Sequence, residues 1–118
     1  MTAAPDHAPV MPDAETLVYQ TLKHLGGITA WAFDAQCEWP FVEDRVGIQV
    51  DVRASSKKRA RDRAYEARQL LLRLPLDVTN SVTRVEVVGG PFFLADEDGA
   101  PRYVIRTVVA VRAMRGIG

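Results

Sequence analysis

The segment V-G-I-Q-V-D-V-R-A-S-S-K-K-R-A-R-D-R-A-Y-E-A-R-Q-L-L-L-R-L, Val46 to Leu74, changes its hydrophobic period part-way along. No other feature limits the possible folds as much. Val46, Ile48, Val50 and Val52 alternate with Gly47, Gln49, Asp51 and Arg53, which predicts a strand with one apolar and one wet face. Ala54-Ser55-Ser56 ends that pattern, and a serine at this point is suited to cap a helix. Ala60, Ala64, Ala67, Leu71 and Leu74 then recur at intervals of three and four, which is one stripe of a helix. A strand feeding a helix through three residues is half of a sheet-plus-helix layer, and the rest of the chain has to complete and cover it.

The flanking segments supply what this unit lacks. Residues 1–12, with Pro5, Pro9 and Pro12, are expected to be a disordered arm, and residues 13–118 a single domain. Asp13 should cap a helix reaching about Leu25, with Ala14, Leu17, Val18, Thr21, Leu22 and Leu25 as its buried stripe, stopped by Gly26-Gly27. Ile28–Ala35 is expected as a strand with Trp31 and Phe33 on one side, Ala30 and Ala32 on the other, and both sides covered. Gln36–Arg45, containing Pro40, is expected as a loop. Pro75 ends the second helix. Val82–Val88 follows as a strand with Thr83, Val85 and Val87 on one face. Gly89-Gly90-Pro91 is a bend or bulge before more strand at Phe92–Ala95, and Asp96-Glu97-Asp98-Gly99 is a turn. Arg102–Ala113 is a last strand of about 40 Å at ~3.4 Å per residue, longer than a small domain needs. The expected fold is therefore α+β: a mainly antiparallel sheet of four to five strands against two helices, with a long projecting C-terminal hairpin.

Charge narrows the function classes. The chain carries 15 basic and 15 acidic residues. Between Arg53 and Arg73, however, eight bases face only Asp62 and Glu66, a surplus of six positive charges that the rest of the chain balances with acid. Such polarity suits contacts between copies or with a stacked partner. Cys37 is alone, so neither an intramolecular disulfide nor a cysteine metal site is available, and a reducing cytoplasm is the simplest setting. No apolar run reaches the ~18 residues of a membrane span, so no membrane partner is expected.

Catalytic constellations are missing. His7 lies in the arm and His24 at the end of a helix, Ser55 and Ser81 lie in turns without G-x-S-x-G, and no P-loop exists. Glu43-Asp44 and Asp96–Asp98 are acidic clusters without the spacing of a calcium loop. The expectation is no enzyme, no metal and no cofactor. Lys57, Lys58, Arg59, Arg61 and Arg63 crowd the first turns of the second helix, where cations oppose the helix dipole, so an acidic counterpart is expected for them. Phosphate is one such counterpart. A nucleic-acid-binding sheet needs exposed aromatics beside its bases, and the strands show arginines and small residues instead.

In order and spacing the chain resembles the tail terminator proteins of long-tailed bacteriophages, also called minor tail or tail completion proteins. The matching pieces run from Asp13 to Ala113. A first helix opens with P-D-A-E-T-L-V-Y and a loop carries W-P-F-V. The strand V-G-I-Q-V-D-V-R-A-S-S is followed at once by the helix A-R-D-R-A-Y-E-A-R-Q-L-L-L. The hairpin V-T-R-V-E-V-V-G-G-P-F-F-L-A-D-E-D-G-A-P-R-Y-V-I-R-T-V-V-A-V-R-A closes the series. The resemblance implies a structural virion protein, assembled in the host cytoplasm and placed at the head-proximal end of the tail. It implies a homo-oligomeric ring, a hexamer in that family, that caps the tail tube, stops its polymerisation and offers the head-tail connector a joining surface. DNA would pass through the lumen without sequence-specific binding. Expected contact residues are Lys57, Lys58, Arg59, Arg61 and Arg63, the acidic Glu43, Asp44, Asp96, Glu97 and Asp98, and Arg102, Arg106 and Arg112 of the last strand. The alternatives are another neck protein of the same particle, or a small nucleic-acid-binding module using the basic helix.

Overall fold

The computed structural model describes residues 9–10, 13–38, 43–77, 80–112 and 114–115 of the 118. The first helix, α1, is Ala14–Leu22, followed by a 3-10 turn at Lys23–Leu25. Asp13 caps it: the Thr16 amide donates to Asp13 Oδ1 at 3.2 Å and the Thr16 hydroxyl to Oδ2 at 2.9 Å. These bonds hold the Asp13 carboxyl below the usual carboxylate range. Strands β2 (Ile28–Glu38) and β3 (Glu43–Arg53) form an antiparallel hairpin. Helix α2 spans Lys57–Arg73, with the Ser56 hydroxyl accepting from the Arg59 amide at 3.2 Å, and ends in a 3-10 turn at Leu74–Leu76. Strands β4 (Val82–Phe93) and β5 (Arg102–Arg112) form the second hairpin. The short β1 (Pro9–Val10) pairs with β6 (Met114–Arg115) as a separate two-stranded sheet.

The main sheet is antiparallel throughout, in the order β2-β3-β5-β4. Both helices lie on one face of it. The apolar faces of the strands (Ile28, Ile48, Val50, Val52, Tyr103, Ile105, Val109, Val111, Val82) meet Ala14, Val18 and Leu22 of α1 and Ala60, Ala64, Ala67 and Leu71 of α2. The small alanines let α2 approach the valine-rich strands closely, and this one layer of contact is the core. Among the described residues, no helix lies on the other face of the sheet.

Several expectations change. The Gln36–Arg45 loop is largely strand: β2 continues to Glu38 and β3 starts at Glu43, with Gln36 opposite Arg45, Cys37 opposite Asp44 and Glu38 opposite Glu43. Once the valine face of β3 has set the register, the ladder satisfies backbone groups whatever the side chains are. Residues 39–42, with Trp39, Pro40 and Phe41, lie outside the described residues. Of the expected arm, Pro9–Val10 is paired strand, and residues 1–8, 11 and 12 lie outside the described residues. Thr83 does not share a face with Val85 and Val87, because a register shift between Val82 and Arg84 turns Val82 inward instead. Strand β4 runs through Gly89-Gly90-Pro91 with two further shifts, contains a cis Gly90–Pro91 bond, and ends at Phe93, short of Ala95.

The molecule measures 52 × 31 × 24 Å, with a radius of gyration of 16.0 Å against roughly 13–14 Å for a compact chain of this length. The long strands account for that elongation. Beyond the ends of β4 and β5 the hairpin stays hydrogen-bonded up to its turn, with the Leu94 amide donating to Arg102 O, Asp96 to Ala100 O and Gly99 to Asp96 O.

A candidate interaction surface on the open sheet face

The face without helices was expected to be simply wet along β3, but Gln49 is only 7% and Asp51 only 5% exposed. Their cover comes from the same sheet. Gln49 Nε2 donates to Asp51 Oδ1 at 2.9 Å, and Arg106 Nε of β5 donates to Gln49 Oε1 at 3.2 Å. Arg102 Nη1 donates to Asp51 Oδ2 at 3.3 Å, and Arg53 Nη2 lies 3.7 Å from the same oxygen. A ladder thus climbs the middle of the face from Arg106 through Gln49 and Asp51 to Arg102 and Arg53. The cross-strand register makes it possible, because Gln49 stands opposite Arg106 and Arg53 opposite Arg102.

The top of the ladder is Asp96, brought back from the hairpin turn. Arg53 Nε donates to Asp96 Oδ2 at 2.6 Å and Arg53 Nη2 to Oδ1 at 3.2 Å, a two-pronged contact, while Arg102 Nε lies 3.2 Å from Oδ1. The Arg53 guanidinium holds the Asp96 carboxyl below its usual range, aided by Arg102, and Asp96 in turn raises Arg53. Arg53, Arg102 and residues 95–98 border an open cleft of about 550 Å³.

Beside the ladder stands an aromatic pair on β2. Trp31 (44% exposed) and Phe33 (45%) meet edge to face, centroids 6.1 Å apart, and the Arg106 guanidinium lies 5.8 Å from the Phe33 ring centre. The expectation that both sides of this strand are covered fails, because β2 is an edge strand and Trp31, Ala32, Phe33, Asp34 and Ala35 are all exposed. Phe33 packs against Gly47: a Cβ on Gly47 would come within 2.7 Å of the ring. Glycine in this central strand is therefore a seat for an aromatic from its neighbour. At the other edge, Val88, Phe92, Phe93 and Leu94 are exposed on and just after β4.

The basic helix splits into two parts. Arg63 is used inside the subunit, donating from Nη1 to Arg53 O at 2.9 Å and Gly26 O at 3.1 Å, which fastens α2 to the start of β2 and the end of β3. Lys57 lies over the Phe93 ring at 4.5 Å, and Arg61 and Arg68 lie 5.0 and 5.9 Å from the Tyr65 ring. Lys58 and Arg59 are exposed. Glu43 and Asp44 sit at the opposite end of the sheet from α2's first turn, ten residues down β3 from Arg53, with Glu43 opposite Arg112 and accepting from the Thr83 hydroxyl at 3.0 Å. Of the residues expected to make contacts between copies, the structure brings together Asp96, Arg102 and Arg106 on one ladder, places Glu97 and Asp98 exposed in the adjacent turn, and leaves Arg112 exposed at the far end. Asp96 finds its cations, Arg53 and Arg102, within its own chain.

Sequence reasoning missed Trp31, Phe33, Gly47, Gln49, Asp51 and Arg53 as members of this surface. Gly47 was the available signal: a glycine inside a valine-rich strand marks a close approach, and two aromatics stood on the preceding strand.

Among the described residues, no three of His, Cys, Asp and Glu converge as metal ligands, and no helix is long and apolar enough to cross a membrane. Compared with known proteins, the chain matches no protein-family model and no curated protein.

Proposed function

We propose that the protein is a structural component of a long-tailed bacteriophage particle, a tail terminator. Copies form a ring, a hexamer by the resemblance, that caps the head-proximal end of the tail tube, stops its growth and receives the head-tail connector, with DNA passing through the lumen. The observation that carries this reading is the open sheet face. A half-sandwich that leaves Trp31, Phe33, Val88 and Phe92 exposed around a fixed arginine ladder has the composition of a protein-binding surface, rich in aromatics and arginine. Support also comes from the order and spacing of segments between Asp13 and Ala113 and from the surplus of base on α2. The ladder makes this surface rigid before binding, which limits the entropy that association costs. The test is tube growth followed by electron microscopy with the tail-tube protein of the same particle. Substoichiometric amounts of this protein should halt elongation and leave a ring at one tube end. Tubes that lengthen normally, with bare ends, contradict the proposal.

A second reading gains one specific observation. Trp31 and Phe33 stand beside Arg106 on an open antiparallel sheet, the arrangement on which single-stranded nucleic acid stacks. It predicts salt-sensitive binding of single-stranded oligonucleotides that Phe33→Ala weakens. Flat fluorescence anisotropy at low salt eliminates it.

A further inference from the structure

We infer that one column of α2, formed by Lys57, Arg61, Tyr65 and Arg68, binds the phosphate backbone of nucleic acid, by charge and without regard to base sequence. The inference stands apart from the ring reading. If that reading holds, the column is the element that meets the DNA in the channel.

The helix sorts its residues by column. Ala60, Ala64, Ala67 and Leu71 are buried against the sheet. Lys57, Arg61, Tyr65, Arg68 and Leu72 follow one another at intervals of four and three on the adjacent column, so they form one ridge. The acids of the helix, Asp62 and Glu66, fall one position further round, so the ridge itself carries no acid. It stands on the β4 side of the helix, where Lys57 lies over Phe93.

Three observations say what the ridge takes. Its cations are held by rings and not by carboxylates: Lys57 lies 4.5 Å from the centre of Phe93, and Arg61 and Arg68 lie 5.0 and 5.9 Å from that of Tyr65. A ring fixes a cation without neutralising it. Among the described residues the ion pairs join Arg53 and Arg102 to Asp51 and Asp96, and none takes in Lys57, Arg61 or Arg68. Arg68 Nε is buried and has no acceptor among the described residues, a cost that anion oxygens closing on the guanidinium would offset. The first turn of α2 has cations and no acid, so the helix dipole is opposed there, and a polyanion removes that penalty.

Nucleic acid fits the ridge better than an acidic protein does. A protein interface is centred on a desolvated apolar core, whereas the ridge offers only Tyr65 and Leu72, 38% and 40% exposed, among its cations. Backbone binding needs only fixed positive charge, with an aromatic face as a supplement. From Lys57 to Arg68 the ridge runs roughly 16 Å at ~1.5 Å per residue, a length over which one strand of a duplex carries about five phosphates. The charges also sit on a fastened element, because Ser56 caps α2 and Arg63 ties it to Arg53 O and Gly26 O.

The test is fluorescence anisotropy of the full chain with a labelled DNA duplex of random sequence, from low to moderate salt. Wild type should bind, with the logarithm of the association constant falling linearly with that of the salt concentration at a slope of about −3 for three phosphate contacts. Arg61→Gln combined with Arg68→Gln should flatten that slope by about two, one per cation removed, while Arg61→Lys combined with Arg68→Lys should keep it. Glutamine preserves helix propensity, and far-UV circular dichroism checks the fold. If the double glutamine variant misfolds, Lys57→Gln alone must flatten the slope by about one. Absence of duplex binding at low salt overturns the inference, as does a slope that the glutamine variants leave unchanged. Binding that Phe33→Ala weakens and the glutamine variants do not moves the nucleic acid to the open sheet face and overturns it too. So does binding of labelled polyglutamate without binding of the duplex, which makes the partner an acidic protein. Tube capping is scored separately: capping without duplex binding leaves the ring reading intact and sinks this inference, and duplex binding without capping does the reverse.

Discussion

The two faces of the sheet are built from the same four strands and behave as different materials. The helix-covered face is apolar and closed: Ile48, Val50, Val52, Ile105 and Val109 disappear under alanines and leucines, and the polar Thr107 is accommodated by its hydroxyl donating to Ile48 O at 3.1 Å. The open face buries polar groups instead, Gln49 and Asp51, beneath arginines from the adjacent strand, and leaves its aromatics at the margins. Burial on the first face removes apolar area from water at about 25 cal/mol per Å² and so drives folding. Burial on the second exchanges protein–water for protein–protein hydrogen bonds, whose net gain is smaller and whose geometry is fixed. One face supplies stability, the other a fixed pattern of polar and aromatic side chains.

That division can be broken by substitution. Leu71→Ala, at a fully buried position under the covered face, should cost about 2–5 kcal/mol in chemical denaturation. A loss below about 1 kcal/mol would mean the helices contribute less than their burial implies. Gly47→Val on the open face should cost about 1–3 kcal/mol, because the new side chain collides with the Phe33 ring. Combining it with Phe33→Ala should recover part of the loss, and simple additivity in that double-mutant cycle would show that the ring does not sit on Gly47. Trp31→Ala should cost no more than the roughly 0.5–1.5 kcal/mol of an aromatic pair, yet remove self-assembly seen by light scattering. Stability and assembly falling together would erase the distinction between the faces.

The smallest effect concerns acid. Asp96 is held below its usual range by Arg53, so its contribution is present above about pH 4, the ordinary carboxylate value, and is lost as pH falls through the lower folded-state value. Thermal melts should therefore show wild type ahead of Asp96→Asn above pH 4, with the gap closing below it. A gap that persists unchanged down to pH 2 would mean that the charge on Asp96 is not what ties the hairpin turn to β3.

The covered face was legible in the sequence because its periods are strict. Ala60, Ala64, Ala67 and Leu71 announce the buried stripe of α2, and Val46–Val52 the strand beneath it. The capping roles of Asp13 and Ser56 were legible for the same local reason. The open face was not, because what buries Asp51 and Gln49 comes from Arg102 and Arg106, more than fifty residues away, and only the β3–β5 register brings them together. Trp31 and Phe33 misled in the opposite sense: large aromatics in a strand suggest burial, and nothing local says that β2 lies at an edge with one side bare. Asp96 looked like a free acidic turn until the hairpin folded it onto Arg53.

Side-chain oxidation footprinting, free protein against protein assembled with the tail-tube protein, tests the difference between the faces most directly. Trp31, Phe33 and Phe92 should lose most of their reactivity on assembly, while Tyr19, exposed on α1 in the helical layer, keeps its own. Protection of Tyr19 with unchanged labelling of Trp31 and Phe33 would contradict the assignment of the open face as the surface through which this protein works.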